Sequence, residues 1–124
     1  MVNLLAVFIG GGIGATLRYL ATITSQKIWG TTILSTFSVN IIGCFFIGLI
    51  YGLTLQKANL LPTQLKLFLT VGVLGGLTTF STFSYEAFNY LKDGKFLHCI
   101  LYISASLLIG LSATYFGYIL AKQI

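Results

Sequence analysis

Apolar residues dominate the chain in four long blocks, and polar residues gather in the short intervals between them. No charged side chain occurs between Met1 and Arg18, from Ile28 to Gln56, from Leu67 to Tyr85, or from Cys99 to Ala121. A bilayer core takes roughly 20 apolar residues per helix, so the blocks predict four spans at approximately 2–23, 32–54, 66–90 and 98–121. The predicted fold is an all-α membrane protein, a single four-span domain over 1–124. The third block differs from the others. Gly72, Gly75 and Gly76 are followed by Thr78 and Thr79, and then hydroxyls alternate with aromatics through Phe80, Ser81, Thr82, Phe83 and Ser84. Those residues disfavour an unbroken helix, and the third helix is expected to break near its middle. Backbone freed at membrane depth cannot face lipid, because each unsatisfied group costs several kcal/mol. It must be buried in protein or line a water-accessible path.

Composition narrows the class. Of 124 residues, 56% are hydrophobic and 7% charged, against about 25% charged in soluble domains. The net charge of +5 comes from single, scattered cations. No basic patch with interleaved aromatics exists, and nucleic acid is not expected as a partner. The cations instead flank spans, as membrane proteins favour. The first block lacks a basic start and is too long for a signal core, so it is read as a retained span. Cys44 and Cys99 fall in or at the edge of spans and read as packed thiols. The single histidine, His98, borders span 4 as an interfacial side chain. No nucleophile–base pair is present, so an enzyme is not expected.

Small residues predict how the helices meet. Gly10/Gly14, Gly48/Gly52 and Gly72/Gly76 have the spacing that lets membrane helices approach closely. The run Gly10-x-Gly12-x-x-Ala15 has no βαβ context and is not a dinucleotide site.

Several polar side chains stand inside the spans, each with a packing role and an ion-handling role open to it. Arg18 either anchors span 1 at the headgroups or stands at the mouth of an anion path, where it would raise the local anion concentration. Asn40 either joins two helices or aims its amide donors at a permeating anion. Tyr102, Ser106, Gly110 and Thr114 recur every fourth residue, which puts three hydroxyls on one helix face with a gap at glycine. That stripe serves either interhelical bonding or a hydrated track. Phe80 and Phe83 share a face once the helix resumes. Their electropositive ring edges could flank an anion, with Ser81, Thr82 and Ser84 as hydroxyl donors beside them, or the rings could simply pack. Unwound carbonyls from Gly75 to Thr78 could converge on a cation. Glu86 would repel an anion, unless it pairs with Lys or Arg or bonds to backbone.

The charges also bear on orientation. Lys57, Lys66 and Lys122 fall on the side of the termini, and Lys27, Lys92 and Lys95 on the other, with Arg18 if it reaches that interface. So small a bias predicts insertion both ways. Four spans enclose too little interior for a pore, and dual insertion supplies an inverted copy packed about a two-fold axis in the membrane plane.

Three motifs together resemble the Fluc (CrcB-like) fluoride channels: Gly11-Gly12-x-Gly14-Ala15-x-x-Arg18-Tyr19, Thr36-x-x-Val39-Asn40-x-x-Gly43, and Gly75-Gly76-x-Thr78-Thr79-Phe80-Ser81-Thr82-Phe83-Ser84. The match runs in order over all four spans. The resemblance implies a dual-topology antiparallel homodimer in the cytoplasmic (inner) membrane that exports fluoride passively through two antiparallel pores. It implies that Phe80 and Phe83 line each pore, with Ser81 and Thr82 beside them, and that Asn40 donates to fluoride. By the same analogy, Gly75 and Thr78 carbonyls of both chains hold a structural sodium ion, and Arg18 belongs to the vestibule. Tyr102, Ser106 and Thr114 would form a polar track. Ser35 stands where that family often has glycine, and Gly110 interrupts the track. The alternative is a small dual-topology proton-coupled exporter, which needs a membrane-embedded carboxylate. Glu86 is the only acid in any span.

Overall fold

The computed structural model describes residues 1–56 and 60–124. Lys57, counted above among the cations on the side of the termini, lies outside the described residues. Among the described residues every regular element is helical: α1 (Val2–Trp29), α2 (Ile33–Gln56), α3 (63–77), α4 (Phe80–Lys92) and α5 (Phe96–Ala121). Four helical stretches are long and apolar enough to cross a membrane, with α3 and α4 together making the third. The chain is a multi-pass helical membrane protein.

Local chemistry sets the ends of these helices. α1 stops at Gly30, whose φ of 68° is the left-handed cap that glycine adopts without a Cβ clash. Its N–H donates back to the Gln26 carbonyl at 3.0 Å. Ser25 then donates to the Thr31 carbonyl at 2.6 Å, and the Thr31 hydroxyl accepts from Ile33 N–H at 3.2 Å, which fixes the tight passage into α2. The Lys92-Asp93-Gly94-Lys95 turn expected from sequence joins α4 to α5, with Lys95 N–H on the Tyr90 carbonyl at 2.8 Å.

The third span is interrupted, as expected, but not at its glycines. Thr63–Leu67 is α-helical, Phe68–Leu74 is wound as a π-helix, and Gly75–Leu77 is helical again. Thr78 and Thr79 are extended, with ψ of 154° and 115°. The unwound stretch is therefore the two threonines alone, and the expectation of unwinding from Gly75 onward is corrected. Gly75 and Gly76 keep helical geometry because their lack of side chains serves packing instead. A Cβ on Gly76 would lie 2.5 Å from the Gly11 carbonyl oxygen, and one on Gly10 would lie 2.5 Å from that of Phe68. The α1 and α3 backbones touch through Gly10, Gly14, Gly72 and Gly76. α2 and α5 form a second close pair, with Gly48 against Thr114, Gly52 against Ala121, and Gly117 against Phe45 and Leu49.

Small residues and hydroxyls thus fill the interior, while large side chains such as Leu4, Phe8, Leu108 and Phe116 are exposed. That inverts the arrangement of a soluble protein. In a bilayer, helix association rests on close packing and hydrogen bonds, because lipid tails solvate leucine as well as a core does. A graded test follows from the spacing. Gly14→Val forces the new side chain onto Val73 and onto Leu77 N, 2.8 Å from a Cβ, a clash of the kind that costs about 1–3 kcal/mol. Its thermal midpoint in detergent is expected to fall. Gly12→Ala meets nothing within 4 Å, and its midpoint is expected to hold.

Candidate functional site

The interruption is held open by one side chain. Thr79 N–H donates to Asn40 Oδ1 at 2.8 Å, and Asn40 Nδ2 donates to the Thr79 carbonyl at 3.2 Å. An amide is the one neutral side chain that both accepts and donates in this way, so Asn40 satisfies both main-chain groups of Thr79. The threonine then starts α4: its Oγ1 accepts from Thr82 N–H at 3.2 Å, the bond expected of a helix N-cap. Its hydroxyl proton goes to Thr82 Oγ1 at 3.0 Å, and Ser81 Oγ lies 3.4 Å away.

This arrangement frees two carbonyls. In a continuous helix Gly75 O would accept from Thr79 N–H, and Thr78 O from Thr82 N–H. Asn40 takes the first donor and the Thr79 side chain takes the second. Gly75 is exposed, and both Gly75 and Thr78 border a groove of about 400 Å³. Among the described residues no three His, Cys, Asp or Glu side chains come together, and the two freed main-chain oxygens are acceptors at the edge of this groove.

The same groove gathers much of the expected pore. Asn40, Phe80, Phe83 and Ser106 line it, together with Cys44 of α2 and Thr70 of α3. The Phe80 and Phe83 rings are 5.9 Å apart, and Phe80 is 80% exposed. Ser106 Oγ is buried and has no hydrogen-bond partner among the described residues, an unmet donor on the wall of this groove.

Arg18 sits elsewhere, across the break. Its Nε donates to the Gly76 carbonyl at 3.1 Å, a cation at the C-terminal end of α3 where the helix dipole favours one. It borders a smaller depression of about 270 Å³ with Tyr19, Thr22, Thr36, Thr79 and Thr82. Ser81, exposed at the start of α4, lines neither cavity.

Within one chain the residues of the α5 stripe have different partners. Tyr102 OH donates to Glu86 Oε2 at 2.7 Å, and its ring lies 5.2 Å from Phe83. Ser106 faces the groove. Gly110 lets α5 approach Cys44, and Thr114 Oγ1 bonds its own helix at the Gly110 carbonyl, 3.1 Å away.

Glu86, 6% exposed, meets neither the Lys, the Arg nor the backbone expected for it. Its Oε1 accepts from Thr32 Oγ1 at 2.6 Å and Thr36 Oγ1 at 3.0 Å, and Tyr102 supplies the third bond. Sequence reasoning missed this cluster and missed Thr79. One signal was available: Thr32, Thr36 and Asn40 recur every fourth residue on α2, a polar stripe like the one read on α5.

Fold and site together define a class: a four-span helical membrane protein with a clamped break in its third span and polar groups gathered at it. A family profile described as "CrcB-like protein, Camphor Resistance (CrcB)" matches residues 5–118. A protein of Flavobacterium psychrophilum is 44% identical over 125 residues, covering 100% of both chains. One from Azobacteroides pseudotrichonymphae is 42% identical, covering 94% of this chain and 93% of its own. One from Geobacter metallireducens is 39% identical over 100% of both. Each is named "Fluoride-specific ion channel FluC". The chain belongs to the CrcB-like family, a family of ion channels rather than enzymes.

Asn40→Ala would strand both main-chain groups of Thr79, at about 1–3 kcal/mol for each buried group left unpaired. The expected result is a lower thermal midpoint in detergent together with faster hydrogen exchange at the Thr79 amide.

Proposed function

We propose that this protein is a fluoride-selective channel that exports the ion passively across the cytoplasmic membrane, as its relatives' names suggest. The reading is carried by the break: Asn40, Phe80, Phe83 and the unmet Ser106 hydroxyl border one groove. A small anion loses strong hydration on entering a membrane. Amide N–H, hydroxyl O–H and electropositive ring edges each replace part of that shell. None binds tightly enough to hold the ion. Arg18 concentrates anions at the vestibule, and Ser81 and Thr82 extend the donors at the start of α4. Tyr102 and Thr114 flank the route as track residues, Tyr102 by placing its ring against Phe83. The driving force is the fluoride gradient, since HF crosses bilayers and dissociates inside.

The functional unit is an antiparallel homodimer of single four-span domains with two pores. The groove is open on one side of the chain, and Gly75 is exposed beside it with its carbonyl outside the helical ladder. Lipid cannot satisfy such a carbonyl, whereas an inverted copy can cover it. Gly75 and Thr78 carbonyls from two copies would hold a sodium ion, which supplies positive charge at the centre of the dimer. The nearly even distribution of Lys and Arg accords with insertion both ways. The proton-coupled alternative is not favoured by the relatives.

The test is flux from liposomes, with fluoride and chloride followed by ion-selective electrodes. Wild type is expected to release fluoride and retain chloride. Phe80→Ile and Phe83→Ile are expected to slow fluoride release by roughly tenfold or more, at least 1.4 kcal/mol of barrier, while the dimer persists on a sizing column. Unchanged flux would remove the rings from the pore. Replacing sodium with a large organic cation is expected to lower the thermal midpoint of the dimer, since a ion bound only by the folded form stabilises it. An unmoved midpoint would argue against the central site.

A further inference from the structure

The two cavities at the break, the groove of Phe80 and Phe83 and the depression of Arg18, have one lining residue in common, Thr79. Asn40 borders only the first and Thr82 only the second. Thr79 is 7% exposed, so it is the partition between them. Its main chain is fixed by Asn40, which leaves the side chain as its only movable polar group. Its hydroxyl oxygen accepts from Thr82 N–H while its proton points to Thr82 Oγ1. The acceptor role caps α4; the donor role does not. Rotation about the Cβ–Oγ1 bond redirects the proton without disturbing the cap.

We infer that Thr79 is the crossing point of the channel: its hydroxyl proton turns from Thr82 to the anion and passes it between the Arg18 depression and the Asn40 groove. This rests on the channel reading above. The donors along the route are then the hydroxyls of Thr82 and Thr79 and the second Nδ2 hydrogen of Asn40; with no ion present the Thr79 hydroxyl donates to Thr82 Oγ1, and Asn40 keeps its bonds to the Thr79 main chain. An arriving anion displaces a protein–protein hydrogen bond rather than meeting a bare apolar wall. Exchange of one bond for another keeps the barrier low on both sides.

A cap and a crossing point make different demands, and substitution separates them. Ser, Asn and Asp all cap a helix well, but Asp puts a negative charge at the crossing and offers no donor. In sodium-containing liposomes loaded with fluoride, Thr79→Ser is expected to rescue release as the conservative variant, and Thr79→Asn to retain it in part. Thr79→Asp is expected to slow release by about tenfold or more, with its dimer and thermal midpoint close to those of Thr79→Asn. Equal flux through the Asp and Asn variants, alongside normal wild-type flux, would overturn the crossing role and leave the channel reading intact. Wild-type protein that releases no fluoride would overturn both. Should Thr79→Asp fail to assemble, Thr79→Gly decides: glycine caps nearly as well as threonine but has no hydroxyl. Lost flux from a folded glycine variant supports the crossing, and retained flux overturns it.

Discussion

The structure depends on the requirement that main chain leaving a helix inside a membrane find partners within the protein. One asparagine meets most of it. Asn40 accepts from one side of the Thr79 peptide unit and donates to the other, so two residues can run extended at mid-span with no water to solvate them. An aspartate could not donate, and a serine could not reach both groups with fixed direction. The consequence spreads outward from this clasp. With Thr79 N–H taken, Gly75 O loses its donor; with Thr82 N–H taken by the cap, Thr78 O loses its own. The break therefore creates unpaired acceptors on one face while α4 starts with fresh donors on the other. Opposite polarities lie within one turn of each other, which an unbroken helix cannot offer.

Close packing makes that clasp possible. α1 and α3 meet backbone to backbone through glycines, and α2 and α5 do the same. Gly43, three residues after Asn40 on α2, faces the Thr78 side chain, and a Cβ there would press on it, so α2 lies close enough for Asn40 to reach Thr79. Glu86 then ties α4 to α2 through Thr32 and Thr36, and to α5 through Tyr102. The break and α4 are thus tied to their neighbours by hydrogen bonds, which matter more where lipid removes the hydrophobic drive between helices.

Much of this was legible in the sequence. The four charge-free blocks locate the spans, and Gly10/Gly14, Gly48/Gly52 and Gly72/Gly76 announce the contacts at which the helices meet. Gly75 through Ser84 marks the break. Its placement was less legible, because glycine both loosens a helix and permits close approach, and only the presence of α1 decides that Gly75 and Gly76 do the second. The π-helical turns of Phe68–Leu74 carry no local signature, since an apolar run of Phe, Leu, Thr and Val suits either winding. The partners of Glu86 could not be read either. Hydroxyls from two other helices reach it, and their convergence is a property of the bundle rather than of any short spacing.

Glu86 also bears on how a chain with a buried acid can conduct an anion as proposed. The carboxylate does not border the Phe80–Phe83 groove; it borders a separate depression with Thr32, Asn89 and Asp93 near the end of the span. Three O–H dipoles point at it, and oriented dipoles in a low-dielectric setting offset much of a neighbouring charge. Tyr102 bonds the carboxylate through its hydroxyl, and its ring lies 5.2 Å from that of Phe83. The acid therefore acts on the groove through the position it gives an aromatic side chain. A lysine in its place could not accept those hydroxyl bonds, and an alanine would free Tyr102 to turn. If the groove conducts as proposed, the acid beside it would serve by fixing Tyr102 against Phe83, a residue of its wall.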